Sequence, residues 1–436
     1  MISYYLSLSL RELRRNVGFT VLMVSTIAIG IAAGMITTSL RHALSLDPIP
    51  GKSESLYSVQ NPDDVYGKSA LLSFYEAQSL AQAKQGRSES VITGAGILTS
   101  ILVDGDNRQI DGGIGVRFAN AKFFRVFDVS VRRGRTWSAA EEFEGAPVAL
   151  VSSGVADLMF HSQDVIGKEF GIGHTQFRII GITDDWNPRP RFYQLNSAAG
   201  ALGGGGDGIF VPLTAIQYAP DDFTMGRTCT IANVNAIVPP ISAMLSAPCS
   251  WLSVWYLLDE RGELPALANT VKQQLAITLP KFRGSKLRLM NVREILQRAD
   301  VIPESVRLYS FLGVIFLGLC LVNAAGMQLS RILRGSSAIG IRRALGASRR
   351  QIVVQFLCDS LLLGCLGGVL GVALTFAGLH VVRQIPSVAF ADMVHMDASM
   401  LGLMVSLVLA SSVLVGLMPA WIASRADPAL VVKSAT

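Results

Sequence analysis

Charge is scarce in this 436-residue chain: 16% of residues are Asp, Glu, Lys or Arg, while 50% are hydrophobic. A soluble domain of this length runs at roughly a quarter charged. With a mean hydropathy of +0.42, the deficit excludes a disordered chain and an ordinary cytosolic enzyme. Five cysteines exclude a disulfide-dense mini-protein. The five histidines (42, 161, 174, 380 and 395) are scattered, with no H-E-x-x-H and no Cys/His pair at zinc spacing, so no metal site is expected. A phosphate-cradling G-x-x-x-x-G-K-[ST] is also missing: VIGK at 165–168 lacks the upstream glycine and the following hydroxyl. GAG at 94–96 sits inside a strand pattern rather than opening a helix, and there is no serine nucleophile elbow. No catalytic residue is assigned, so energy for any work must come from elsewhere.

What the chain does have is four long apolar blocks. The first, 17–40, contains no ionisable residue. Its 24 residues reach about 36 Å as a helix, enough for a hydrocarbon core of about 30 Å with some tilt. The others run over 308–329, 352–382 (with one carboxylate, Asp359) and 400–422. The first block follows Arg11, Arg14 and Arg15, as a secretory signal would. Its apolar core exceeds signal length and no A-x-A site ends it, so an uncleaved anchor is the reading.

Orientation follows from the arginines. The loop between spans two and three holds Arg331, Arg334, Arg342, Arg343, Arg349 and Arg350 with no acidic residue. The expected order is a cytoplasmic segment 1–16, span one 17–40, an outer domain 41–307, span two 308–329, an inner loop 330–351, span three 352–382, an outer loop 383–399, span four 400–422 and a cytoplasmic tail 423–436. The three inner pieces carry eleven basic residues against two acidic ones, so the whole-chain charge of +6 is a topology signal. A nucleic-acid partner thereby loses its support, whereas a membrane-lipid contact fits.

The outer segment is too long for a loop and must fold by itself. Strands are expected at 55–60, 90–105, 108–118, 147–153, 177–185, 251–258 and 286–292, with a D-G-D-N turn joining the second and third. Helices are expected at 71–83, 121–127, 154–160 and 264–277, and an exposed loop at 187–208. The fold class is thus an α-helical membrane protein with four transmembrane helices and a large α+β domain of two subdomains inserted between the first two. Cys229 and Cys249 fall in this domain. In an oxidising compartment they either close a loop of about 20 residues, worth roughly 3 kcal/mol in the chain-entropy model, or remain two buried thiols.

Small residues mark helix packing. Gly30 and Gly34 form a G-x-x-x-G in span one, and Gly364, Gly367, Gly368 and Gly371 cluster in span three, where they let backbones approach closely. The inner loop alternates apolar and basic residues at helical spacing, with Ile339, Ile341 and Leu345 near one face, and Gly346 is able to end a turn before span three. It is either an anchor on anionic lipid or a docking element for a cytoplasmic partner.

IGIRRALGASRRQI (339–352), followed by QFLCDSLLLGCLGGVLG (355–371), resembles the signature of the MacB/FtsX-type ABC transporter permeases, the four-span class. Residues 124–186 are similar to that family's MacB-like periplasmic core domain, and PAWIASRADPALVV (419–432) to its closing motif. Two positions depart: the family's acidic residue before I-G is Ala338 here, and its intramembrane glutamate is matched by the shorter Asp359. The resemblance implies a non-catalytic inner-membrane subunit that pairs with a second permease subunit, homo- or heterodimeric. Each would dock a separate cytoplasmic ATPase subunit, which holds ATP and Mg, through Ile339, Gly340, Ile341, Arg342, Arg343, Leu345, Gly346, Ala347 and Ser348. Movement would pass through span two and a stalk helix (292–306) to the outer domain, which expels or hands over a substrate: peptide, antibiotic, siderophore or lipid-like. A periplasmic adaptor and an outer-membrane channel would complete a conduit in some such systems. The alternative is an FtsX-like regulator that activates a cell-wall hydrolase outside. A membrane sensor with no ATPase would leave the glycine-arginine loop unexplained.

Overall fold

The first apolar block forms helix α1 (Val17–Ser45). Met23, Ile27, Gly30, Ile31, Gly34 and Met35 recur every three or four residues and make its buried face. The computed structural model describes residues 8–9, 11, 13–60, 71–82, 88–193, 206–220, 223–229, 238–278, 287–298, 304–334, 346–384 and 398–424. The chain divides into two units, Met1–Ser45 with Ile302–Thr436, and Leu46–Val301.

In the Leu46–Val301 unit, β1 (Leu56–Gln60) leads to helix α2 (Phe74–Ala81). A long hairpin follows, made of β2 (Glu89–Val103) and β3 (Asp106–Ala119). Its two-residue turn, Asp104-Gly105, has φ of 52° and 86°, the left-handed geometry that an Asp-Gly pair supplies. Next come α3 (Phe123–Val126), β4 (Val131–Gly134), α4 (Ala139–Glu144), β5 (Val148–Ser152) and α5 (Ser153–Phe160). Ser138 starts α4 through a capping box: Glu141 N–H donates to its Oγ at 3.2 Å, and Ser138 N–H donates to Glu141 Oε2 at 2.7 Å. Gly145, at φ 67°, ends that helix.

Strands β6 (Glu169–Ile172), β7 (Thr175–Thr183) and β8 (Asp207–Pro212) follow. The short pieces β9 (Thr224–Met225), β10 (Thr228–Cys229) and β11 (Cys249–Ser250) precede β12 (Ser253–Leu257). Helix α6 (Leu264–Thr278), β13 (Arg288–Asn291) and helix α7 (Val292–Arg298) close the unit.

These strands join one hydrogen-bonded path, β13-β1-β12-β2-β3-β8-β5-β7-β4, with β6 and β9 beside it and β10–β11 as a separate pair. The halves expected as subdomains therefore share a single sheet, with β2–β3 as the bridge. Helices α2 and α6 pack together at the β12 and β13 end, and α5 packs on β5, β7 and β8. Strands β5 and β8 are buried along their whole length, so they read as apolar runs rather than alternating ones. An aromatic cluster of Phe123, Phe127, Trp186, Phe192, Phe210 and Trp255 fills the middle of the unit.

The other unit completes α1 with α8 (Glu304–Arg334), α9 (Arg349–Arg383) and α10 (Ala398–Ser424). These four helices are long and apolar enough to cross a membrane. Helix α1 packs on α8 and α9, and α10 packs on α9 and α8. Their outward faces are apolar: Val322 of α8 is 72% exposed and Val369 of α9 is 73% exposed. Apolar side chains in such numbers face out only where the surroundings are hydrocarbon rather than water. The expected stalk at 292–306 falls partly on α7 and partly on the first turn of α8, with 299–303 outside the described residues.

Candidate functional site

Of the nine residues assigned to ATPase coupling, Ile339, Gly340, Ile341, Arg342, Arg343 and Leu345 lie outside the described residues, as does Ala338. Gly346, Ala347 and Ser348 are described. Gly346 has φ +101°, a conformation that L side chains rarely adopt, with open space where a Cβ would stand. Two residues later Ser348 caps α9: its N–H donates to Gln351 Oε1 at 2.8 Å, and Gln351 N–H returns to its Oγ at 3.4 Å. The glycine thus turns the chain and the serine starts the span. S-x-x-Q at 348–351 is the sequence signature of such a capping box.

The glycines of α9 serve two partners. A Cβ at Gly364 would overlap the Ser412 hydroxyl and stand 2.7 Å from Ser412 Cβ, and one at Gly368 would stand 2.8 Å from Val408, both on α10. Gly367 and Gly371 face α1 instead, with Cβ positions 2.8 Å from Ile27 and 3.2 Å from Ile31. Two i, i+4 seams therefore interleave on one helix, and each lets a different neighbour approach. On α1, Gly30 meets Cys320 of α8 at 2.8 Å, whereas nothing comes nearer than 3.8 Å at Gly34. Glycine is sterically required at the first position and not at the second.

Asp359 is 3% exposed within α9. One residue on, Ser360 Oγ accepts from Gln328 Nε2 of α8 at 2.6 Å and donates to the Phe356 carbonyl at 2.8 Å. Gly416 of α10 lies against Ser360 as well, since a Cβ there would stand 2.6 Å from Ser360 Cβ. A polar tie thus joins α8 to α9 where α10 crosses, with Gln328 and Ser360 both buried within the bundle.

In the other unit Cys229 and Cys249 are joined by a disulfide across the β10–β11 pair. Among the described residues, the most buried charges in that unit are Arg117 and Asp207, at 1% and 3% exposure. Arg117 Nε and Nη2 both donate to Asp207 Oδ2, at 2.9 and 2.6 Å. The guanidinium also lies 4.5 Å from the Tyr193 ring centre. Burial pushes the Tyr193 hydroxyl above its usual range, with Asp207 adding to the shift. This pair escaped sequence reading, although an arginine at the inner end of the apolar strand GIGVRFA was its available signal. Among the described residues no group of three or more His, Cys, Asp or Glu is placed to hold a metal.

A family profile described as MacB-like periplasmic core domain matches residues 20–240, and one described as FtsX-like permease C-terminal matches 310–428. The chain belongs to the MacB/FtsX-type ABC transporter permeases.

Its curated relatives in this family include the macrolide export ATP-binding/permease protein MacB of Marinobacter nauticus, 24% identical over 336 residues. That alignment covers 73% of this chain and 45% of the relative. MacB of Rhodopirellula baltica is 21% identical over 386 residues, covering 84% and 53%. This permease thus spans about half the length of the curated relatives it matches. The periplasmic region of MacB from Actinobacillus actinomycetemcomitans is similar at a TM-score of 0.38 and 13% identity, covering 58% of this chain and 97% of that one. The extracellular domain of the noncanonic ABC-type transporter YknZ gives 0.34 and 13%, covering 54% and 100%. The family's sequence profiles, rather than these scores, carry the assignment. The chain is a multi-pass inner-membrane protein whose α+β domain lies between the first two spans.

Proposed function

We propose that this permease couples ATP hydrolysis by a separate cytoplasmic ATPase subunit to movement of its outer domain, which expels or hands over a substrate. The observation that carries this reading is the pair of profile matches in chain order, a MacB-like core before span two and an FtsX-like half after it. In this reading the chain itself catalyses nothing, and ATP and Mg reside on the partner. Both termini and the six-arginine loop are cytoplasmic, and two permease subunits pair. Residues 339–348 form the coupling element, and Gly346, at φ +101°, turns the chain just before α9.

Pull-down in mild detergent tests the reading. Gly346→Leu forces a side chain into φ +101°, and Arg343→Glu reverses a charge. Each should weaken ATPase association without altering membrane insertion, and unchanged association would remove the coupling assignment. A reporter fused at Gly205 should read as extracytoplasmic and one at Ser337 as cytoplasmic. An FtsX-like regulatory role rests on the C-terminal profile. Recovery of a cell-wall hydrolase with the outer domain, and of no exported cargo, would favour it.

A further inference from the structure

The β2–β3 hairpin changes register between Leu98 and Ser100, and on the facing strand Gly112 and Gly113 take φ of 77° and 72°. Beyond this irregularity the distal arm is tied down twice. Leu102 pairs with Gly171 of β6, and Arg108 Nη1 donates to the Met159 carbonyl at the end of α5, at 2.9 Å. Between this arm, α5 and the first residues of β8 lies an open cleft of about 690 Å³, within the range of drug-sized ligand sites. Ile101, Ile114, Val155, Leu158 and Met159 make its apolar wall.

The two ends of α5 present different chemistry to the cleft. At the C-terminal end Arg108 donates through one Nη1–H to the Met159 carbonyl, which leaves its charge at that end of the cleft. At the N-terminal end, about 8 Å away at helical rise, the exposed amides are already capped. Val155 N–H donates to Ser152 Oγ at 3.3 Å, and Gly154 N–H donates to Asp185 Oδ1 at 2.9 Å. An anion arriving there would meet a carboxylate instead of free N–H groups.

Asp185 is solvent-exposed and makes no salt bridge among the described residues. Beside it the Trp186 indole is held in place. Its Nε1 donates to the Phe127 carbonyl at 3.1 Å, and its ring stacks on Tyr193 at 4.8 Å. Tyr193 in turn lies against Arg117, whose charge is spent on buried Asp207. A solvent-exposed carboxylate with no salt bridge among the described residues, on the wall of an apolar cleft, suits a cation through charge pairing.

We propose that this cleft binds a small apolar molecule bearing an ammonium group, with the ammonium at Asp185 beside Trp186 and the apolar body along Ile114, Val155 and Leu158. Binding requires neither nucleotide nor an ATPase partner. Its failure and the failure of the coupling assignment are therefore separate results.

Saturation-transfer NMR on the full chain in nanodiscs tests this, using three probes with one body: adamantane-methylamine, adamantane-methanol and adamantane-carboxylate. Empty nanodiscs subtract partition into lipid. The amine should bind, and the alcohol and the carboxylate each at least about tenfold more weakly, the typical effect of losing a charge-assisted hydrogen bond. Asp185→Asn keeps an acceptor for Gly154 N–H and removes the charge, and should weaken amine binding about tenfold. Leu158→Trp, at a position 52% exposed and so tolerant of bulk, should occlude the cleft and abolish binding. Carboxylate binding as tight as the amine's would overturn the proposal. So would no amine binding at millimolar concentration, or wild-type amine binding in both variants.

Discussion

Gly364→Ala is the sharpest perturbation of the membrane helices, because one added carbon meets atoms that have no room to yield. The Ser412 hydroxyl, which donates to the Val408 carbonyl at 2.6 Å, is able to rotate away from a Cβ at 364. Ser412 Cβ, 2.7 Å from that position, and Ser412 Cα, 3.3 Å from it, are fixed by the helix itself. Ordinary carbon contacts fall at about 3.5–4.0 Å, so α9 and α10 must part locally by about 1 Å. Overpacking of this kind costs about 1–3 kcal/mol. Gly34→Ala supplies the internal reference: it carries the same helix-propensity gain, but its Cβ has nothing nearer than 3.8 Å. The difference between the two variants is therefore the steric term alone. Unfolding of the full chain by SDS titration in mixed micelles, followed by circular dichroism, measures it. Gly364→Ala should lie about 1–3 kcal/mol below Gly34→Ala, and Ser412→Gly should restore much of the loss in the double variant. The seam assignment fails if the two alanine variants are equally stable, or if Ser412→Gly costs the same in both backgrounds.

Three further outcomes follow from the outer domain and the α8–α9 tie. Asp207→Ala should destabilise the Leu46–Val301 unit by about 3–5 kcal/mol, because it strands a buried arginine; urea unfolding read by tryptophan fluorescence checks this, and replacement of Arg117 by Met together with Asp207 by Leu should cost much less. Glu141 and Glu142 should respond to acid in opposite directions. The Arg135 guanidinium and the Ser138 amide hold Glu141 down to about 2, so its contribution is present above the ordinary carboxylate value and is lost as pH falls from about 4.5 towards 2. Burial pushes Glu142 up, so its contribution is present at low pH and is lost as pH rises through the raised value. Thermal melts should therefore show Glu141→Gln less stable than wild type at neutral pH, with the gap closing in acid, and Glu142→Gln equal or more stable at neutral pH. Finally, Gln328→Leu and Ser360→Ala should be strongly non-additive in SDS unfolding, by about 0.6–1.7 kcal/mol, since each removes the same interhelical hydrogen bond.

Local pattern and global packing were legible to different degrees. The hairpin turn at Asp104-Gly105 and the strands around it follow from residue chemistry, because Asp-Gly tolerates positive φ where other pairs do not. Strands β4 and β8 escaped for opposite reasons. Three of the four β4 residues are exposed, so it has no apolar alternation to detect. Strand β8 is wholly buried and directly follows a glycine-rich stretch, which made its first residues read as the end of a loop. Glycine marked close approach in span three, but not which neighbour approaches: Gly364 and Gly367 are three residues apart in sequence, yet meet α10 and α1 respectively.

The sequence by itself determined the four spans, the α+β character of the inserted domain and the family. These depend on apolar run length, local periodicity and short contiguous motifs, all of which are properties of neighbouring residues. Only the tertiary structure decided that Arg117 is paired with Asp207, ninety positions away, that the two expected halves share one sheet, and that Asp185 and Trp186 stand at the end of an apolar cleft. Those contacts bring distant segments together through strand order and helix packing, which no local spacing encodes. Burial then makes them matter, because a charge or a glycine acquires its energetic weight from what the fold places against it.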